Sequence, residues 1–244
     1  MIDRSLPTLV AVAHGSPDPR AEPAVRALAR LVRALRPSVP VELAHLDNDR
    51  PRLADTLARL RGSAVLVPLL FSRGFHVKHD IPGALAPVAD RLRATVAGSL
   101  GPHPLLAEAL HSRLVEAGYR PGSAVVLAAA GSSDPESAAG TAYTAAMLST
   151  RLGGVPVLPA YASAATPTVP DAVAALRAQG HREVALASCF TAPGQFAERC
   201  ARAAPGVVAA PLGSHPALAR LVLHRYDQAR RAANPAAALA ATAG

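Results

Sequence analysis

The chain has 244 residues, 50% of them hydrophobic and 17% charged, which excludes a disordered segment or a mini-protein and leaves one large α/β domain or two of about 100–120 residues. Twenty-five basic residues against 17 acidic ones give a net charge of +8 and point to an anionic partner. With 3% aromatic residues, no Trp and no basic run longer than Arg230 and Arg231, the stacking platforms and basic stripes of a nucleic-acid binder are missing.

The first predicted element is a strand over Thr8–Ala13, an apolar run that ends in His14, Gly15 and Ser16 and a Pro/Asp loop. Val25, Leu28, Leu31, Val32 and Leu35 then recur at helical spacing. A strand over 39–46, a helix over 51–60, a continuous apolar strand over 64–71 and a helix over 81–92 follow. Continuous apolar strands separated by helices imply a parallel sheet covered on both faces. Cys189 and Cys200 fit no metal-knuckle spacing and read as buried thiols. No apolar stretch of about 18 residues and no leader pattern occurs, so the expected setting is cytoplasmic, away from membranes.

The same theme then repeats. His14 to Pro19 aligns with Ala130 to Pro135 at an offset of 116 residues, and at that offset Pro40 and Val41 meet Pro156 and Val157. The segment 64–74 resembles 184–194, and 100–104 matches 212–216. The expected architecture is a tandem duplication: residues 1–119, residues 120–231 joined through the turn-rich 118–123, and a flexible Ala-rich tail over 232–244. Two similar Rossmann-like or flavodoxin-like α/β domains with parallel sheets should face each other across an inter-domain cleft.

The repeats differ where chemistry would sit. His14 and His76 of the first become Ala130 and Phe196 in the second, while Gly15, Ser16 and Asp18 keep their counterparts. Both histidines follow apolar strands, and Asp47 follows the strand between them. Two imidazoles and a carboxylate suit a borderline divalent ion such as Co²⁺, Ni²⁺, Fe²⁺ or Zn²⁺ and leave coordination positions open. His45 and Asp47 share a face of a strand, so either reaches inward.

Two boxes carry a resemblance. Ala11 to Ser16, followed by the Pro/Asp loop, and 68–82, which ends in His76, Val77, Lys78, His79, Asp80, Ile81 and Pro82, resemble the CbiX/SirB-type sirohydrochlorin chelatases in their long two-repeat form. The resemblance covers about the first 220 residues. It implies a chelatase fold and a lyase that inserts a divalent metal, Fe²⁺ towards siroheme or Co²⁺ towards cobalamin, into the sirohydrochlorin macrocycle. It matches His14 and His76 to the family's metal-binding and catalytic histidines. Its acidic ligand lies in a Phe-Leu-Glu box that here reads His45, Leu46, Asp47, which favours Asp47 as the third ligand with His45 as the alternative.

Insertion of a metal expels pyrrole protons, a task for a base that titrates near neutrality, as histidine does. The same imidazole holds metal only when neutral. The macrocycle is a polycarboxylate, so the loops should offer cations and helix N-termini: Gly15, Ser16, Ser72, Arg73, Lys78, Ser132 and Ser133, with Arg20 beside them. No organic cofactor and no nucleic acid is expected, Fe²⁺, Co²⁺ and Ni²⁺ all remain as the metal substrate, and a monomer already makes a full cleft. His79 and Asp80 read as caps of the following helix, and His103 and His215 as a shared helix-opening turn. A histidine phosphatase needs an arginine directly before its histidine, where Ala13 stands. A non-catalytic metal or tetrapyrrole carrier would use the same residues.

Overall fold

The computed structural model describes residues 6–72, 74 and 76–233. In chain order it gives β1 (Thr8–Ala13), α1 (Ala21–Leu35), β2 (Val41–His45), α2 (Leu53–Arg59), β3 (Gly62–Pro68), a π-helical turn (His76–Asp80), α3 (Ile81–Leu85) and β4 (Leu92–Val96). Then come α4 (Pro104–Glu116), β5 (Ala124–Ala129), α5 (Pro135–Arg151), β6 (Val157–Tyr161), α6 (Val169–Ala178), β7 (Val184–Ser188), α7 (Gln195–Arg202) and α8 (Pro216–Ala233). The first sheet is ordered β2-β1-β3-β4 and the second β6-β5-β7, with every described pairing parallel. This is the expected α/β architecture. A lone parallel bridge from Leu186 to Val208 stands where β4 stands in the first sheet.

Strands β1, β3, β5 and β7 are almost wholly apolar because both faces are covered, whereas the edge strands β2 and β4 carry exposed Glu42 and Arg93. On β1, Leu9, Ala11 and Ala13 enter the largest core, shared with Val125 and Leu127 of β5, while Val10 and Val12 pack outward with Leu53 and Leu57 of α2. The predicted helix over 81–92 is shorter than its pattern. Pro87 sits in a 3-10 turn after α3, and the chain goes on into β4, an edge strand whose single fully buried residue, Leu92, carries too little pattern to read.

The last helix of each half is laid against the other half. α8 packs on α1, β3 and β4, and α4 packs on α5 and β7. Tyr226 of α8 donates its hydroxyl hydrogen to the Pro7 carbonyl at 2.7 Å, and Arg36 donates to both oxygens of Asp227 at 2.7 and 2.8 Å. The two halves therefore share one core. Of the expected tail, Ala232 and Ala233 finish α8 and residues 234–244 lie outside the described residues. No helix among the described residues is long and apolar enough to cross a membrane.

His103 and His215 open α4 and α8. Nδ1 of His103 accepts from the Leu105 N–H, and Nδ1 of His215 from the Ala217 N–H, both at 3.1 Å, so these imidazoles are caps. Burial first, then the neighbouring His224 and Arg225, pushes His103 down to about 4. An unfolded histidine titrates near 6.5, so between those values the unfolded chain binds the extra proton and stability is lost as pH falls. His103→Asn keeps a capping oxygen that does not titrate. Its stability, measured by urea unfolding across that window, should fall less than the parent's, by about 1 kcal/mol.

Candidate active site

β1 is central in its sheet, and the chain leaves it towards β2 on one side and β3 on the other. The carboxyl ends of β1 and β3 therefore flank the crevice in which open α/β sheets bind ligands. His14 is the first residue after β1, and His76 opens the π turn that follows β3. Although 62 residues apart in sequence, their Nε2 atoms lie 3.0 Å apart, with the rings edge to face at 85°.

The outer nitrogens decide what the inner ones do. Nδ1 of His14 is 3.0 Å from the Gly15 carbonyl oxygen, and Nδ1 of His76 is 2.5 Å from Oδ2 of Asp80. A carbonyl and a carboxylate accept, so each Nδ1 keeps its hydrogen and donates it. The two Nε2 atoms then stand at the distance at which either a proton on one ring or a metal ion bound by both joins the pair. A metal at the usual ~2.1 Å from each nitrogen would see them at about 90°, two adjacent positions of an octahedral ion. Asp80, expected to cap α3, makes no capping bond; the π turn hands its carboxylate to His76 four residues earlier. Sequence spacing shows such an i, i+4 pair but does not separate it from a cap.

Asp47 is placed differently from the expected ligand. Its side chain is 61% exposed, takes the Asn48 N–H at 2.8 Å and lies 3.7 Å from Arg52, outside the lining of the cleft. β2 ends at His45, so the strand alternation that put residues 45 and 47 on one face does not extend that far. His45 does line the cleft at 1% exposure; its Nδ1 is 3.3 Å from the Pro51 carbonyl, and its Nε2 has no hydrogen-bond partner among the described residues. Among the described residues no three His, Cys, Asp or Glu side chains form a ready metal cage. The imidazole pair is itself partly exposed in the cleft lining.

The loop carrying His14 is pinned from below. The Asp47 N–H donates to the His14 carbonyl at 2.8 Å, and the Ser16 N–H donates to Asp49 Oδ2 at 2.9 Å. Asp49, which sequence reasoning missed, lies in the loop after β2 with nothing in its pattern to mark it. Gly15 has φ +93°, and a Cβ there would lie 1.8 Å from the Asp47 carbonyl oxygen; Gly131 in the second repeat has φ +90° and the same clash with Ser163. Gly15→Ala and Gly131→Ala should each cost about 2–3 kcal/mol in thermal unfolding, although only the first touches the histidine loop.

The cleft has a volume of about 650 Å³, within the range of small-molecule sites, and both halves line it. Gly15, Ser16 and Ser72 face Ser132 and Ser133 across it, and Phe196 stands in the second half where His76 stands in the first. Lys78 and Arg20 lie outside the cleft lining, Lys78 paired with Asp134 and Glu136 and Arg20 with Asp18 and Glu198. The hydrogen bonds from Arg20 hold the Asp18 carboxyl down to about 2. Arg73 lies outside the described residues. Cys189 also lines the cleft, but burial pushes its thiol up to about 12, which leaves it protonated and a poor ligand.

The model of the CbiX family matches the chain twice, over residues 8–117 and 124–229. The chain belongs to the CbiX family. Among solved structures, SirB from Bacillus subtilis with Fe³⁺ aligns with a TM-score of 0.72 at 21% identity, covering 92% of this chain and 97% of that one. A CbiX described as the terminal enzyme for biosynthesis of siroheme in denitrifying bacteria aligns with a TM-score of 0.67 at 23% identity, covering 91% and 99%. A sirohydrochlorin cobaltochelatase of Methanosarcina acetivorans is 29% identical over 82 residues, a match spanning 32% of this chain and 63% of that protein. The two family matches fall one on each sheet, and the paired imidazoles lie in the first.

Proposed function

We propose that this CbiX-family chain is a lyase that inserts a divalent metal into a sirohydrochlorin-type tetrapyrrole. The observation that carries the reading is the pair of Nε2 atoms 3.0 Å apart in the lining of a cleft built from both halves. The relatives named for Fe³⁺, siroheme and sirohydrochlorin cobaltochelatase support the substrate class. Fe²⁺, Co²⁺ and Ni²⁺ all suit two imidazoles, so donor type leaves the choice of metal among them.

In this reading His14 and His76 hold the metal on adjacent positions while water fills the others. The macrocycle enters between the repeats with its nitrogens towards the histidines. As M²⁺ passes to the ring, two pyrrole N–H bonds break and two protons leave, so charge balances. The Nε2 lone pairs freed by the departing metal take up those protons, and Asp80 stabilises the imidazolium that forms on His76. Gly15, Ser16, Ser72, Ser132 and Ser133 line the path of the ring and offer N–H and hydroxyl donors to its carboxylates. Asp47 serves here through its backbone, holding the His14 carbonyl. One chain supplies both walls, so the reaction needs no second copy.

Mixing the protein with sirohydrochlorin and Co²⁺, Fe²⁺ or Ni²⁺ and following the macrocycle's absorbance tests the reading. Acceleration over the protein-free rate with at least one metal is expected; none with any of the three would end it.

A further inference from the structure

Two ion pairs join the halves beside the cleft, close in sequence to its lining residues, and they are related by the internal repeat. Arg20, in the loop after β1, pairs with Asp18 of its own loop and with Glu198 in α7 of the other half. Lys78, in the π turn after β3, pairs with Asp134 and, at 3.3 Å, with Glu136 at the start of α5. By the offset of 116 that carries Gly15 to Gly131, Arg20 is the counterpart of Glu136; by the offset of 120 that carries Gly74 to Gly194, Lys78 is the counterpart of Glu198. The two bridges are thus one contact made twice, with the charges reversed.

Reversal at both positions at once keeps each bridge attractive while sorting the signs. Both cations stand on the half that carries His14 and His76, and both glutamates on the half that has lost the imidazoles. The loops also meet at matching points. A Cβ on Gly194 would lie 3.3 Å from Ser16 Oγ, and one on Gly74 3.4 Å from Ser132 Oγ. The second half therefore lays carboxylates on the cations that flank the histidines, as a carboxylate-bearing ligand would.

We propose that Glu136 and Glu198 are internal stand-ins for ligand carboxylates, latching the two halves together beside the cleft when it is empty and yielding Arg20 and Lys78 to an incoming polycarboxylate. Arg20, Glu198 and Glu136 are 60%, 40% and 62% exposed, so the bridges are half-solvated and weak enough to exchange. The ligand trades an ion pair for an ion pair, and the half bearing the metal ligands keeps it. Asp134, whose Oδ1 also accepts the Glu136 N–H that opens α5, keeps its contact with Lys78 through the exchange, as Asp18 keeps Arg20, so the ligand displaces the glutamates alone. The identity of the ligand rests on the tetrapyrrole reading; the latch itself rests on the bridges.

The test uses uroporphyrin, a fully carboxylated tetrapyrrole, titrated by its fluorescence without metal. In Glu136→Gln/Glu198→Gln its Kd should fall roughly three- to tenfold, the value of two half-exposed pairs, with the gain shrinking as salt rises. Amides of residues 130–136 and 190–198 should exchange hydrogen faster than in the parent. Arg20→Gln/Lys78→Gln should bind more weakly than the parent. Unchanged or weaker binding by the glutamine variant, or unchanged binding by the Arg20/Lys78 variant, would overturn the latch. So would an empty titration with every protein. Loss of the latch with metal insertion intact would leave the chelatase reading standing, and tighter uroporphyrin binding without metal insertion would do the reverse.

Discussion

His76→Ala is expected to lower the rate of metal insertion by about 100-fold or more, and His14→Ala by a similar factor, because in the proposed mechanism each removes one of two metal ligands and one of two proton acceptors. Neither ring is part of the apolar core, so far-ultraviolet circular dichroism and the unfolding midpoint should stay close to the parent's. The double variant should be hardly worse than either single one, since one imidazole cannot present the paired lone pairs. Initial rates of absorbance change with Co²⁺ and sirohydrochlorin measure all three. A single variant retaining the parent's rate would remove that histidine from the mechanism.

The second large effect is expected at Asp80. Its carboxylate, 2.5 Å from Nδ1 of His76, favours the tautomer with the hydrogen on Nδ1 and, in the proposed reaction, the charged ring after proton transfer. Asp80→Ala should weaken Co²⁺ binding in the absence of macrocycle by about 10- to 100-fold, a typical value for an outer partner of a ligating histidine. Asp80→Asn keeps an acceptor without the charge, so its metal affinity should recover in part while insertion stays slow. That split separates orientation from charge; an Asp80→Asn variant that keeps both metal affinity and insertion rate would mean that the carboxylate charge plays no part.

Much of this was legible in the sequence because it lay in features with little freedom. Both sheets are parallel and covered on both faces, so β1, β3, β5 and β7 are unbroken apolar runs. The repeat could be aligned because its loops require unusual backbone: Gly15 and Gly131 at φ +93° and +90°, and Asn48 and Ala164 at φ 56° and 55°, fall at one offset. His14 and His76 stood out because the second repeat lacks them.

What escaped depended on contacts that no local pattern encodes. The pattern of α4 and α8 shows that each buries a face, but not that each buries it on the other half's sheet. The expectation of Asp47 as a ligand rests on its place just past the strand and on the family-like box, but β2 ends at His45 and the Asp47 side chain lies outside the cleft lining. The pairing of Arg20 with Glu198 and of Lys78 with Glu136 joins residues 178 and 58 positions apart, and only the closed cleft puts them together. Net charge, an early pointer to an anion, proved less informative than where Arg20 and Lys78 stand.

Catalysis by the first half's imidazole pair is tested by counting turnovers. With sirohydrochlorin and Co²⁺ both in large excess over the protein, the absorbance of the metallated macrocycle should keep rising well past one equivalent in the parent and follow the protein-free rate in His14→Ala/His76→Ala. A parent that stops at one equivalent, or a double variant that keeps pace with it, would contradict the account.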